Sequence, residues 1–335
     1  MTTEAGSRPK PRLSLGWLAS NEAGLLLVAF AFALFFWTAT PGFGSPFNLY
    51  ALTRVIAIDA VIGLSMMVVL VTGGLNLAVG AIGVSAVMVG GWTMQELGMP
   101  IPVGVAAALA AGALLGWFNG FATVTMRVHS FVVTLATMSV YFGAMIVLTK
   151  AEAFNELPRA FVALAKLKMF GFVSAMILLT LVVGVLLWLL FHRTLFGRQV
   201  LAAGANPAAA RLSGVPVERT IVVSHALAGL LAALAGLMLT ARNGAALPSM
   251  AGQLGMDWLL PAFLAPILGG TLLTGGTLSV TGTLLGAVLV TILSNGLLQL
   301  QVAEFWIQAF LGLILLLAVG LDRIRARYAE ARSTA

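Results

Sequence analysis

The residues best placed to do chemistry lie in two glycine-rich interruptions of otherwise apolar sequence, TGGLNLAVG at 72–80 and TGGTLSVTG at 274–282. Each opens on Thr-Gly-Gly and closes on Gly after the same spacing, an internal echo. Paired glycines unwind a helix and free backbone amides and carbonyls, which an apolar surrounding tolerates only where protein or a water-filled cavity supplies partners. Gly73 and Gly74 therefore mark either a broken helix beside a solute path or a tight turn between hairpin helices. Asn76 adds an amide that both donates and accepts, a group suited to hydroxyl-rich solutes. Farther on, Trp117 and Asn119 stand together in GALLGWFNG. An aromatic ring beside an amide suits sugar faces and hydroxyls, although Trp is equally a packing or interfacial residue. Around them Gly112, Gly116 and Gly120 recur every four residues and set three bare strips on one helix face, the pattern of close helix packing.

Ionisable groups within apolar runs are few. Asp59 lies near Arg54, and pairing of the two at the outer interface is expected. Glu96, His129, Asp257 and Glu304 sit at span ends, where water is available. His225 is the best intramembrane candidate for a proton relay, but a packed or hydrogen-bonded imidazole is the ordinary outcome. This supply of charge does not suit a proton- or sodium-driven carrier. The pattern G-x-x-x-x-G-K-[ST] is missing, and no Gly-Lys pair occurs in the sequence at all. Any ATP must then be hydrolysed on another polypeptide. His192 stands beside Arg193 without neighbouring carboxylates, and the chain has no cysteine, so no local metal site, thiolate or catalytic triad can be assembled. Neither an enzymatic activity nor a cofactor or metal is expected of this chain.

The elements that must position these residues follow from composition. Of 335 residues, 60% are hydrophobic and 9% charged, with a mean hydropathy of +1.05. A soluble domain is about 45–50% apolar and about 25% charged, so a water-soluble fold is excluded. Apolar runs long enough to cross a hydrocarbon core recur along nearly the whole chain, without the short alternating segments of a closed barrel. The fold class is all-α: a polytopic helical membrane protein with about ten transmembrane helices, some of them broken at glycines. The expected crossings are 23–40, 55–72, 77–97, 101–125, 130–149, 169–191, 219–241, 256–271, 280–298 and 304–321. The first apolar run has no small-residue cleavage site and reads as an anchor. With the N-terminus inside, twelve of the 18 Lys and Arg residues, Arg8, Lys10 and Arg12 among them, fall on the inner side. That bias places both termini in the cytoplasm. The net charge of +7 then reflects basic cytoplasmic loops and calls for no nucleic-acid partner.

Residues 1–22 are expected as a cytoplasmic N-terminal tail, 23–321 as the transmembrane domain and 322–335 as a cytoplasmic C-terminal tail. Two polar stretches are long enough to be small structures: 150–168 on the outside, with mixed charge, and 192–218 on the inside, basic. Within the second, Gly204 and Asn206-Pro207 can turn the chain, AAARL can form a brief helix, and Ser213-Gly214 with Pro216 can end it.

The loop GRQVLAAGANPAAARLSGVPVERT with the following HALAGLLAALAGLM, the break TGGLNLAVG and the run ILGGTLLTGGTLSVTGTLLGA resemble the membrane permeases of bacterial ABC importers of the ribose, xylose and galactose type. The resemblance covers roughly residues 45 to 322. It implies a multi-pass permease of the bacterial cytoplasmic (inner) membrane, forming the path for a monosaccharide or related polyol. Its partners would be a cytoplasmic ATP-binding subunit, a periplasmic or surface-tethered solute-binding protein and a second copy of the chain. On that likeness residues 192–218 form the helices that seat in the ATPase, with Arg198, Gly204, Asn206, Arg211, Gly214 and Glu218 coupling the two. The alternative for the arginines is topology alone. Gly73, Gly74, Asn76, Trp117 and Asn119 are the candidate path residues. This chain departs from the family pattern at Asn76, where Asp is usual, at Ala78, where Ser is usual, and at Thr277, where Gly is common. Permeases for branched-chain amino acids or nucleosides share the general plan, and an autonomous secondary carrier is the alternative from another class.

Overall fold

The computed structural model describes residues 21–333. The basic residues Arg8, Lys10 and Arg12 and positions 334–335 lie outside the described residues. In chain order the elements are α1 (Asn21–Ala39), α2 (Pro46–Leu70), α3 (Val79–Gln95), α4 (Ile101–Met126), α5 (Ser130–Thr149), α6 (Arg159–Lys166), β1 (Lys168–Met169), β2 (Val173–Ser174), α7 (Met176–Arg193), α8 (Leu195–Ala205), α9 (Pro207–Leu212), α10 (Val217–Asn243), α11 (Leu259–Leu268), α12 (Val280–Gln299) and α13 (Glu304–Ser333). Seven of them, α1, α2, α4, α5, α7, α10 and α12, are long and apolar enough to cross a membrane by length and composition; Val79–Gln95, Gly255–Leu268 and Glu304–Gly320 are shorter apolar stretches. The chain is thus an all-α, polytopic membrane protein.

Local chemistry sets the helix ends. Ser45 caps α2, its hydroxyl accepting from the Asn48 amide at 3.2 Å, and Pro46 occupies the first turn, where its missing N–H costs nothing. Gly244, at φ 81°, closes α10, and Ser279 caps α12 by accepting from the Gly282 amide at 2.9 Å.

Burial divides the helices into a core and a shell. In α2 every residue from Ala60 to Leu70 is buried, whereas α4 presents Leu114, Phe118 and Phe121 outward. Around α2 pack α7, α10, α11 and α12, and α4 lies on α10. A helix apolar all round and buried is the centre of a bundle; one with an apolar outer face is solvated by lipid. The α4–α10 contact uses the predicted glycine face: a Cβ on Gly116 would overlap the His225 carbonyl, and one on Gly112 would meet the Cβ of Ala233 at 2.5 Å. Bare backbone lets the two helices approach closely, which in lipid substitutes for a hydrophobic driving force.

Two expected spans differ in detail. The stretch expected to cross from 169 first makes an antiparallel hairpin, β1 to β2, turned at Phe170 and Gly171, both at positive φ. As a result, α7 starts only at Met176, and the structure formed by the polar stretch extends past 168. The span expected at 256–271 opens as a 3-10 turn, Gln253–Trp258, before α11. At the other end α13 runs on to Ser333, so residues 322–333, expected as a tail, continue its helix. The polar stretch 150–168 is built around α6, which buries Phe161 and Ala165, and is tied to the residues just after α10 by a Phe154–Ala246 bridge at 2.9 and 3.0 Å.

Candidate functional site

At the first break the chain leaves α2 through Gly73, at φ 78°, and the amides freed between α2 and α3 find side-chain acceptors. The Ser130 hydroxyl oxygen accepts from the Leu75 amide at 2.8 Å, and the Thr134 oxygen from the Leu77 amide at 3.1 Å. Asn76 turns its Oδ1 back on its own backbone, accepting from the Ala78 amide at 3.2 Å. A buried amide left unpaired costs about 1–3 kcal/mol, so these three acceptors are what makes the interruption tolerable. Asn76 is only 1% exposed, and its Nδ2 is buried without a partner. The break is therefore closed and packed in this conformation, with Gly74 against Ser130: a Cβ there would lie 2.8 Å from the hydroxyl.

The second break folds likewise between α11 and α12. Thr277 accepts from the Leu272 amide at 3.3 Å across the loop, and Gly275 and Gly276 adopt φ 85° and 80°, where only glycine is unstrained. The two breaks meet. The Gly276 amide donates to the Val71 carbonyl at 2.9 Å, and a Cβ on Gly275 would stand 2.6 Å from the Gly73 nitrogen. The echo in the sequence is thus a spatial pair at one end of the bundle.

Into this pair fits α8. Gly204, expected to turn the chain, is instead buried inside α8, and a Cβ there would overlap the Val71 carbonyl and lie 2.6 Å from the Gly276 nitrogen. The turn falls two residues later. Asn206 ends α8 and caps α9, its Oδ1 accepting from the amides of Ala208 and Ala209 at 3.1 Å each. Proline at the first position of α9 completes that start. Gly214, at φ 78° and with open space around it, provides the exit expected of it. Arg211 then reaches Glu218 at the head of α10, Nε to Oε1 at 2.8 Å, the one ion pair among the described residues. With both side chains 52% exposed, it stabilises by at most about 1 kcal/mol while linking the end of α9 to the start of α10. Arg198 is exposed on α8, and Leu212, at the end of α9, is 92% exposed.

The pair expected along the path divides. Asn119 is fully buried, its Oδ1 accepting from the Tyr141 hydroxyl at 2.7 Å, with its Nδ2 unpartnered. Trp117 is 45% exposed and stacks on Phe121, ring centroids 5.3 Å apart. Two positions along a helix is about 200° of rotation, so the two side chains cannot share a face. His225 is buried against α4 and donates from Nδ1 to the Ile221 carbonyl at 3.0 Å, as a packed histidine does.

Polar groups concentrate elsewhere. The expected Asp59–Arg54 pair does not form: Arg54 donates to the Arg242 carbonyl at 3.0 Å and lies over the Tyr50 ring, while Asp59 accepts from the Thr291 hydroxyl at 3.1 Å. Asp59 faces a cavity of about 580 Å³ bounded by α2, α11, α12 and α13, which also collects Ser294, Asn295 and Gln308. Sequence reasoning missed this group because its members are scattered over 250 residues and lie singly on apolar helices. The signal available was Asp59 itself, an acidic residue inside a span.

A helical bundle with a buried central helix, an apolar outer surface and a capped helix pair braced against two breaks at one end defines a membrane transport subunit. The chain belongs to the family described as branched-chain amino acid transport system / permease component, which matches residues 48–319. It is 36% identical over 309 residues to the ribose import permease protein RbsC of Bacillus subtilis (strain 168), covering 90% of this chain and 93% of that one. It is 32% identical over 335 residues to RbsC of Escherichia coli (strain K12), covering 96% and 99%. The fructose import permease protein FrcC of Rhizobium meliloti is 32% identical over 319 residues, covering 92% and 87%. No solved structure matches the chain significantly.

Proposed function

We propose that this permease is the membrane subunit of an ATP-driven importer whose solute is a monosaccharide or related neutral polyol. An ATP-binding subunit seats against α8–α9, a separate binding protein delivers the solute at the opposite end of the bundle, and two copies of the chain form the membrane core. One observation carries this reading: Gly204 of α8 is lodged between the Val71 carbonyl and the Gly276 amide, the point where the two breaks touch. A displacement of α8 therefore acts at once on the ends of α2 and α11 and on the start of α12, with no flexible side chain between to absorb it.

In that arrangement Arg198, Arg211 and Leu212 face the ATP-binding subunit. Asn206, Gly214 and Glu218 keep α9 in position, and Gly204 transmits the movement. Gly73, Gly74 and Asn76 belong to the transmitting junction, Asn76 by holding the start of α3. Asn119 and Tyr141 fix α4 against α5 beside any path, and Trp117 stands on the outer surface of α4. The sugar reading draws on the relatives named for ribose and fructose import, while the family description names branched-chain amino acids.

Reconstitution in liposomes with the ATP-binding subunit and the binding protein tests both. ATP-dependent uptake of labelled D-ribose or D-fructose is the expected result. Uptake of labelled leucine instead would move the chain to the amino-acid reading, and flux without partners would make it an autonomous carrier.

A further inference from the structure

The cavity at Asp59 has the composition of a solute site. We propose that it is where this permease receives its solute and that it selects neutral, polyhydroxylated molecules over anionic ones; the proposal rests on the importer reading above. Four observations support it.

The first is position. The cavity is lined by α2 between Leu52 and Asp59 and by α12 between Thr291 and Leu298. Both stretches lie toward the helix ends remote from Val71 and Gly276, so the cavity opens away from α8–α9, at the end where a binding protein docks. Second is size: about 580 Å³ falls in the roughly 300–1,000 Å³ range of small-molecule sites.

Third is the chemistry of the wall. Asp59 uses its Oδ2 on the Thr291 hydroxyl and has no cation within ion-pair distance among the described residues. A carboxylate held in a span is costly; Arg242 acts on it electrostatically without touching it, and hydroxyl donors from a solute add to the offset. Asn295 is held ready: Asn48 Nδ2 donates to its Oδ1 at 3.0 Å, and its own Nδ2 donates to Asn48 Oδ1 at 3.1 Å. Ser294 and Gln308 add donors and acceptors, and Leu260 and Pro261 supply apolar wall for C–H faces. Asp257 and Glu304 line the cavity too, and both are exposed. Three carboxylates repel anions, which disfavours sugar acids and sugar phosphates, and they offer no partner to the carboxylate of an amino acid.

The fourth is what lies beneath. Below Asp59, helices α2, α11 and α12 are separated by small residues: Ala60, Ala265 and Ala287 form one buried cluster. A Cβ on Gly63 would lie 2.7 Å from Ala265 Cβ, and one on Gly286 would overlap the Ala265 carbonyl. The same seam continues to Gly269 against Gly282, between the ends of α11 and α12. It is shut by close small-residue contacts that a shift of α11 against α2 and α12 would release.

The chain has no cysteine, so Leu298→Cys, at an exposed position of the cavity wall to which no solute contact is assigned, gives it a single thiol that can be modified after folding. The complete importer in proteoliposomes, binding-protein face outward, is treated with a membrane-impermeant maleimide before the binding protein is added, and uptake of labelled D-ribose or D-fructose is then measured. The expected result is complete labelling and loss of uptake in the labelled complex, with the unlabelled variant active. In parallel, Asp59→Asn should lower uptake by about tenfold or more, the scale of a lost hydrogen bond to a charge. An unreactive thiol, or labelled complex that transports as well as unlabelled, overturns the assignment of the cavity. Absence of ATP-dependent uptake by the native complex counts instead against the importer reading. Competition separates the classes: excess unlabelled neutral sugar should abolish uptake of label and sugar phosphate should not, whereas equal competition overturns the selection against anions.

Discussion

Asn76 shows how a residue type singled out for one chemistry can be used for another. An amide in a glycine-rich break was expected to meet solute, yet its Oδ1 is committed to the Ala78 amide and the residue is 1% exposed. The same acceptor role is open to an Asp, the residue usual in the resembling family, so the departure preserves the turn. Asn76→Asp should therefore keep both yield and uptake near native, while Asn76→Leu removes the acceptor and lowers stability by about 1–3 kcal/mol. Thermal unfolding in detergent, followed alongside uptake, checks this; equal stability of the two variants would remove the capping role. Trp117 and Asn119 carry the same lesson. Two positions apart in sequence and alike in suitability for sugars, they part because a helix turns about 100° per residue.

Among the elements, α8 and α9 decide whether the chain can be driven. Gly204 has no room for a methyl group without moving Val71 or Gly276, so Gly204→Leu should insert in the membrane but uncouple ATP hydrolysis from uptake or prevent assembly with the ATP-binding subunit. Normal coupled uptake by this variant would reject the junction. For Arg211 a charge swap separates two roles. Arg211→Glu faces Glu218 with a like charge and should reduce coupling. If the pair matters only for the angle of α9, Arg211→Glu with Glu218→Arg should restore it; if Arg211 meets the ATP-binding subunit, the double variant should remain impaired. ATPase activity stimulated by the loaded binding protein reads out both cases. Removing the cap with Asn206→Ala should cost about 1 kcal/mol locally, seen as faster amide exchange in α9.

At the scale of the whole molecule, α1, α4, α5 and α7 present broad apolar faces, including Phe30, Phe35, Leu114, Val140 and Leu186. Lipid covers most of that surface, and a second copy covers the rest in the proposed assembly. The mass of the reconstituted importer in nanodiscs should correspond to two copies of this chain; a single copy supporting full uptake would exclude the dimer.

Composition and periodicity alone determined the all-α membrane class, because apolar runs in lipid have few alternatives to a helix with every amide satisfied. The glycine face of α4, the turn at Asn206-Pro207 and the short helix after it were also legible, since each depends on residues within a few positions of one another. The meeting of the two breaks with Gly204, the failure of Asp59 to pair with Arg54 and the gathering of Asp59, Thr291 and Asn295 around one cavity were decided only by the tertiary structure. These groups come from helices far apart in the chain, and whether a polar side chain on an apolar helix faces lipid, a neighbour or a cavity depends on the packing of the helices around it, which local sequence does not carry.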